Sequence, residues 1–293
     1  MWLQVAVLVE ETEAEQVSDL FMAQGALSVS MEDAGDQPLF EPKPGETPLW
    51  SNTQVTALFE GETDSIRLRS QLESVFGKER SLVFSDLEDQ VWERAWMEHF
   101  KPMQFGQRLW ICPTGFTPPD PSAVNVILDP GLAFGTGTHP TTALCLEWLE
   151  GLSLEGKRLV DFGCGSGILA VAALKLGCIE AHGIDIDPQA LTASKDNAIK
   201  NNVLDRLTVS FPNASEPRVW DVVVANILAG PLVELKEAIL KYLKPDGFLA
   251  LSGLLEPQAA SVQAAYAEQV DFGPLRVLDG WVMLSGKLKP ARA

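Results

Sequence analysis

Apolar residues in this chain switch between a period of two and a period near 3.6, and the switches mark its elements. Trp2 to Val9 alternates as a half-buried strand. From Glu13 to Gln24, Ala14, Val17, Leu20 and Phe21 fall at helical spacing, and Gly25 is placed to close that helix. Ala26 to Met31 reads as a strand, and Asp33 to Trp50 as a loop rich in Pro and Gly. A strand (Gln54 to Phe59), a helix (Asp64 to Phe76) and a strand (Ser81 to Ser85) follow. The succession β-α-β-β-α-β predicts a small ferredoxin-like α+β domain.

Trp92, Trp96 and Phe100 then share a helical stripe among Glu88, Asp89, Glu93 and Glu98. Such a stripe in acidic surroundings reads as packing, so residues 88–107 are expected to form a helical linker docking one domain on the other. From residue 108, short strands (Leu109 to Cys112, Val124 to Leu128) lead into a strict alternation. Strands are predicted at 158–162, 180–185, 206–211, 220–225 and 247–252, with helices beginning near 141, 167, 188, 229 and 256. Alternation of this kind predicts an α/β fold, a doubly wound parallel sheet with helices on both faces. The tail from Asp271 to Leu288 reads as two strands turning near Asp279-Gly280, which would supply an antiparallel last strand. The expected domains are therefore 1–87 and 108–293, joined by 88–107.

The densest chemistry falls where the first of these strands meets its helix. Leu159 and Val160 deliver Asp161 to a turn built on Gly163, Gly165 and Gly167, and the next strand ends at Asp185 and Asp187. Glycines let a backbone approach a ligand closely, and a helix N-terminus offers unpaired N–H groups. A carboxylate ending the next strand can hold both hydroxyls of a ribose, and Gly163 and Asp185 lie 22 positions apart. This is the pattern of a nucleoside-cofactor pocket. A dinucleotide register begun at Gly165 survives through Gly167 and Ala170, so a nicotinamide cofactor stays in play on glycines alone. Asp161, two residues before the first glycine, tips the balance: the pattern Asp-x-Gly-x-Gly-x-Gly resembles motif I of class I S-adenosylmethionine (SAM) methyltransferases, where an acid suits the amino end of SAM.

Two further segments carry candidate groups. Leu128 to Thr142 holds Gly131, Gly135, Gly137, His139, Thr141 and Thr142 but lacks the Gly-Lys-Ser/Thr of a P-loop. Its glycines would let a loop fold over a ligand, and Thr141 or Thr142 could act from a helix start. A His followed by Pro more often shapes a loop than catalyses. At the end of the fourth predicted strand, Asn226 would stand at the carboxyl edge of the sheet beside the glycine turn. Its carbonyl could orient an incoming amine, or its side chain could cap the following helix, and the two uses can coexist.

Composition narrows the partners. The formal net charge is −18, of which residues 1–100 carry −14 (20 acids, 6 bases) and residues 101–293 carry −4 (20 acids, 16 bases). Such a surface repels phosphate backbones, so no direct nucleic-acid contact is expected, and it steers a basic macromolecule toward the N-terminal third. Apolar residues make up 46% of the chain, yet none of its runs is long enough to span a membrane. No basic segment precedes an apolar one at the N-terminus, which reads as no secretion signal and a cytoplasmic protein. Cys112, Cys145, Cys164 and Cys178 have no paired spacing and read as reduced thiols, with no metal site. Cys164, inside the glycine turn, reads as a small filler.

Four segments together resemble one family. These are Phe134 to Thr142, Asp161 to Gly167, Gly183-Ile-Asp-Ile-Asp-Pro188 and Val224-Ala-Asn-Ile-Leu228. They look like the PrmA family, the bacterial methyltransferases of ribosomal protein L-eleven, and the likeness runs over essentially the whole chain. It implies a class I SAM-methyltransferase domain with a Rossmann-like sheet, and a small N-terminal domain that recognises the ribosomal protein. It also implies methylation of lysine side chains and of the N-terminal α-amine, up to trimethylation. Carried over by position, the family's SAM contacts fall on Thr142, Gly163, Asp185 and Asn226, with Asn226 orienting the amine. A monomer acting on a basic ribosomal protein is expected. The chain departs from many amine methyltransferases in having Ile227 and Leu228 where those carry Pro-Pro, and Pro212 to Ser215 offers no acid to adenine.

Overall fold

The computed structural model describes residues 1–35, 37, 48–77, 80–87, 101–129, 138–214 and 218–290. The expected aromatic linker stripe and Gly131, Gly135 and Gly137 lie outside the described residues. The chain divides into two compact units, Met1–Trp92 and Glu93–Ala293.

The first unit runs β1 (Trp2–Glu10), α1 (Glu11–Ala23), β2 (Ser28–Asp33), β3 (Asn52–Glu60), α2 (Ser65–Phe76) and β4 (Leu82–Leu87). Its strands lie in the order β2-β3-β1-β4, with every neighbouring pair antiparallel. Alternation fixes which face is buried: Val5, Val7, Val55 and Ala57 meet Ala14, Val17 and Phe21 of α1 and Leu68 and Leu72 of α2. The capping carboxylate of Asp64 starts α2 by accepting from the N–H groups of Ile66 and Arg67.

The second unit opens with a three-stranded sheet, β5 (Met103–Phe105), β6 (Leu109–Cys112) and β7 (Val124–Ile127). The main sheet then builds from β8 (Arg158–Phe162), β9 (Glu180–Ile184), β10 (Leu207–Ser210), β11 (Trp220–Asn226), β12 (Leu243–Leu255), β13 (Val270–Phe272), β14 (Arg276–Leu278) and β15 (Trp281–Leu288). Between them run α3 (Pro140–Glu150), α4 (Ile168–Lys175), α5 (Pro188–Lys200), α6 (Ala229–Glu234), α7 (Lys236–Leu240) and α8 (Glu256–Tyr266). The order is β10-β9-β8-β11-β12-β15-β13, with β14 paired to β15. The five strands from β10 to β12 are parallel, and β15 is antiparallel to β12.

The central residues of β8 (Leu159, Val160) and β11 (Val222 to Ala225) are apolar because helices cover both faces. One face joins Leu159, Val222 and Val224 to α3, α4 and α5, and the other joins Val160, Val223 and Ala225 to α6, α7 and α8. Chain order reverses between β8 and β11, so the crevice where open α/β sheets bind ligands lies at their carboxyl ends.

The tail differs from its sequence reading. It holds three strands, because Gly273-Pro274 breaks the first segment, and β15 is inserted between β12 and β13. Asp279 and Gly280 do form the expected turn, both at positive φ (49° and 77°), as a tight hairpin requires. Strand β12 is also longer than expected, and its register against β15 shifts between Leu251 and Leu254.

Candidate active site

Asp161, the penultimate residue of β8, is 1% exposed. The turn that follows folds back on β9, where Gly163 N and Cys164 N both donate to Ile184 O (2.7 and 3.1 Å). Gly163 sits at φ 77° and Gly167 at φ 75°, so residues with side chains would be strained at either place. Helix α4 starts from Gly167, which has no side chain with which to cap it. Asp161 fills that role from nine residues upstream: its Oδ2 accepts the Ala170 N–H at 3.1 Å. Its Oδ1 is buried with no hydrogen-bond partner among the described residues. Burial pushes this carboxyl up to about 8, against the pull of the Ala170 N–H and helped by the nearby charge of Asp185.

Asp185 follows β9 directly. Its Oδ2 accepts from Gly165 N at 2.8 Å and its Oδ1 from Asp187 N at 3.0 Å, which fixes the carboxylate against the glycine turn. Each oxygen keeps a further lone pair for a hydroxyl donor. Asp187 caps α5 through Gln189 N at 2.8 Å.

Helix α5 holds the turn from the other side, a feature the sequence reading missed. Ser194 Oγ donates to Gly165 O at 3.0 Å, and Asn197 Nδ2 donates to Ser166 O at 2.9 Å. Both side chains are buried, and they share a helix face with Ala190, Leu191 and Ala198. Polar residues three apart on an apolar stripe were the available signal. Cys164 is the filler expected: its thiol is buried against Ser194, and a Cβ on Gly183 would come within 3.0 Å of its sulfur.

Asn226 closes the far side. Register pairs Ala225 with Phe162, which sets Asn226 level with Gly163. The expected capping use is not what the structure shows, since α6 begins at Leu228 without a side-chain cap. Instead Asn226 Nδ2 donates to Thr142 Oγ1 at 3.3 Å, leaving Oδ1 buried with no partner among the described residues. Thr142 is fully buried in the first turn of α3. His139 caps that helix, with Nδ1 accepting from Thr141 N, and it stands edge-on to Trp281 at 4.6 Å. Burial lowers the pKa of His139, in keeping with a structural, neutral imidazole.

All seven residues singled out from the sequence (Thr142, Asp161, Gly163, Gly165, Gly167, Asp185 and Asn226) therefore gather at the carboxyl edge of β8, β9 and β11. Two buried acceptors without a partner among the described residues flank the turn, and Gly163 is packed so closely that a Cβ there would come 2.3 Å from Ile227 Cγ2. Orphaned acceptors of this kind fit a ligand that carries N–H donors, such as an ammonium.

The sheet order, the glycine turn and the carboxylate after β9 define a SAM-dependent methyltransferase of class I. The chain belongs to the ribosomal protein L11 methyltransferase (PrmA) family, whose model matches residues 1–289. A ribosomal protein L11 methyltransferase of Methylococcus capsulatus is 54% identical, covering 98% of this chain and 99% of its own length. One from Aliivibrio fischeri is 54% identical over the same shares. Among solved structures, a ribosomal protein L11 methylase from Lactobacillus delbrueckii subsp. bulgaricus aligns with a TM-score of 0.60 at 31% identity, covering 65% of this chain and 100% of that one.

Proposed function

We propose that this chain methylates ribosomal protein L11 on lysine side chains and on the N-terminal α-amine, up to the trimethylated forms, by in-line transfer to a neutral amine. The observation that carries the reading is the Asn226 amide. Thr142 occupies its nitrogen, so its bare carbonyl oxygen is the end turned to an incoming N–H. When bound, SAM supplies an electrophilic methyl on a sulfonium.

The chain's own residues do the rest. Asp161 Oδ1 receives the ammonium of the methionyl end. Asp185 receives the ribose diol on its remaining lone pairs, and the backbone at Gly163, Gly165 and Gly167 lies against the ligand. Asn226 Oδ1 accepts an N–H from the substrate amine and so directs the nitrogen lone pair at the reacting carbon. Positioning of this kind can lower a barrier by roughly 7–11 kcal/mol.

The amine must arrive neutral. At pH 7 that costs about 4.6 kcal/mol for an ordinary lysine and about 1 kcal/mol for an α-amine, so the α-amine is the easier acceptor in water. No side chain at the site serves as a base in this reading, and the proton leaves to solvent before transfer. The acidic N-terminal unit recognises the basic substrate, and the enzyme works as a cytoplasmic monomer.

Incubating purified protein with SAM and ribosomal protein L11, then weighing the acceptor and mapping its peptides, tests the reading. Mass increments of whole methyl groups on amines are expected. An unchanged acceptor in the presence of tight SAM binding would make the chain a binder without turnover.

A further inference from the structure

The turn after β11 lacks the Pro-Pro frame that stiffens it in many amine methyltransferases, yet Asn226 must hold one direction to act. Two glycines from distant strands supply the constraint. Gly163, in the turn after β8, has φ 77°, and a Cβ there would lie 2.3 Å from Ile227 Cγ2. Gly253, inside β12, has φ 91°, and its Cβ would lie 2.3 Å from Ile227 O and 2.7 Å from Ile227 C. The side chain of Ile227 is thus seated on one glycine and its backbone on the other.

The seat on β12 is built for this approach. Asn226 pairs with Ser252, and the register of β12 against β15 slips between Leu251 and Leu254, the interval that contains Gly253. Ser252 pins the slip by donating to Thr141 O (3.2 Å) and Val282 O (3.4 Å), which ties it to the helix that carries Thr142.

We propose that Ile227 is a positioning residue for methyl transfer, held between Gly163 and Gly253 so that its neighbour Asn226 presents the amide oxygen to the acceptor amine. The inference rests on the amine-orienting role of Asn226 given above. The part of Ile227 that matters is the β-branch methyl. Valine keeps that methyl and the stiff χ1 of a β-branched residue, whereas leucine keeps the volume and loses both. A residue that merely fills the edge of the core tolerates leucine at least as well as valine.

The test is steady-state kinetics with ribosomal protein L11 beside calorimetric SAM affinity, on full-length Ile227→Val, Ile227→Leu and Gly253→Ala proteins whose folding is checked by thermal melts. Ile227→Val is expected to keep kcat within about twofold, and Ile227→Leu to lose about 10- to 100-fold in kcat, the scale of a small misplacement, with SAM affinity and acceptor KM nearly unchanged. Gly253→Ala, whose Cβ drives into the Ile227 carbonyl, follows Ile227→Leu where it folds. Equal kcat for Ile227→Leu and Ile227→Val, whether both high or both low, overturns the proposal, as does a loss of SAM affinity that tracks the loss in kcat. A wild-type protein that leaves every amine unmethylated instead overturns the function on which the proposal is built.

Discussion

Asp161 Oδ2 accepts the N–H of Ala170 at 3.1 Å, so the acid that precedes the glycine turn caps the helix that follows it. Gly167 is needed for its positive φ and brings no capping group, and the carboxylate one strand-end away takes over. The same carboxylate keeps its second oxygen buried, with no partner among the described residues. One side chain thereby shapes the site and waits for a charge.

That arrangement carries a pH signature. The Asp161 carboxyl titrates at about 8 in the folded protein and near 3.9 unfolded. Between those values the native state holds a proton that the unfolded state has lost, so this group's contribution to stability is full below about pH 4 and falls as pH rises toward 8. The Asp161→Asn protein without SAM should therefore melt with a shallower decline from pH 5 to pH 8 than the wild type. Parallel melting curves for the two proteins would show that Asp161 is already charged.

Binding of SAM should release a proton at pH 7, because an ammonium beside Asp161 favours the carboxylate. Calorimetry in two buffers of different ionisation enthalpy reads this directly. Identical heats would argue that the ammonium sits elsewhere.

Asp185 holds the turn through Gly165 N and the approach to α5 through Asp187 N, in addition to any contact with a ribose. Asp185→Ala should weaken SAM binding by more than about 1 kcal/mol, since a hydrogen bond to a charged group contributes roughly 1.5–3 kcal/mol. A change in the dissociation constant of less than twofold would remove Asp185 from the ligand contacts.

Successive methylations use up the N–H groups that Asn226 can accept. A primary amine has two, a monomethylated amine one, and a neutral dimethylated amine none. Asn226→Ala should accordingly slow the first two transfers more than the third, and time-resolved product masses should show less accumulation of dimethylated intermediate than in the wild type. A uniform slowing of all three transfers would mean that Asn226 acts without hydrogen bonding to the acceptor.

Glu10, Glu32 and Glu60 stand on the face of the N-terminal sheet opposite its helix-packed core, and all three are exposed. Replacing them together with lysine should raise the KM for ribosomal protein L11, most strongly at low salt, and leave SAM affinity alone. An unchanged KM at low ionic strength would place recognition on another surface.

The parts of the molecule legible in its sequence are those whose constraint is local. An apolar strand, three glycines and an apolar helix have one compact solution, so β8, the turn and α4 fell where their pattern put them. The placement of Asp185 and Asn226 at the carboxyl edge was readable because each ends or follows a strand of the parallel sheet. What escaped depends on partners far along the chain. Nothing near Gly253 announces that Ile227 will lie against it, and Ser194 and Asn197 look like ordinary polar positions until the turn they hold is in place. The break at Gly273-Pro274 was visible, but the insertion of β15 between β12 and β13 is decided by pairing across the sheet.

The most direct measurement is a crystal structure of the protein soaked with SAM. The ligand's ammonium is expected at Asp161 Oδ1, its ribose hydroxyls on Asp185, and its methyl facing the crevice beside Asn226 Oδ1. Density for the ligand that leaves Asp161 Oδ1 without a donor and turns the methyl away from Asn226 would contradict the proposed site.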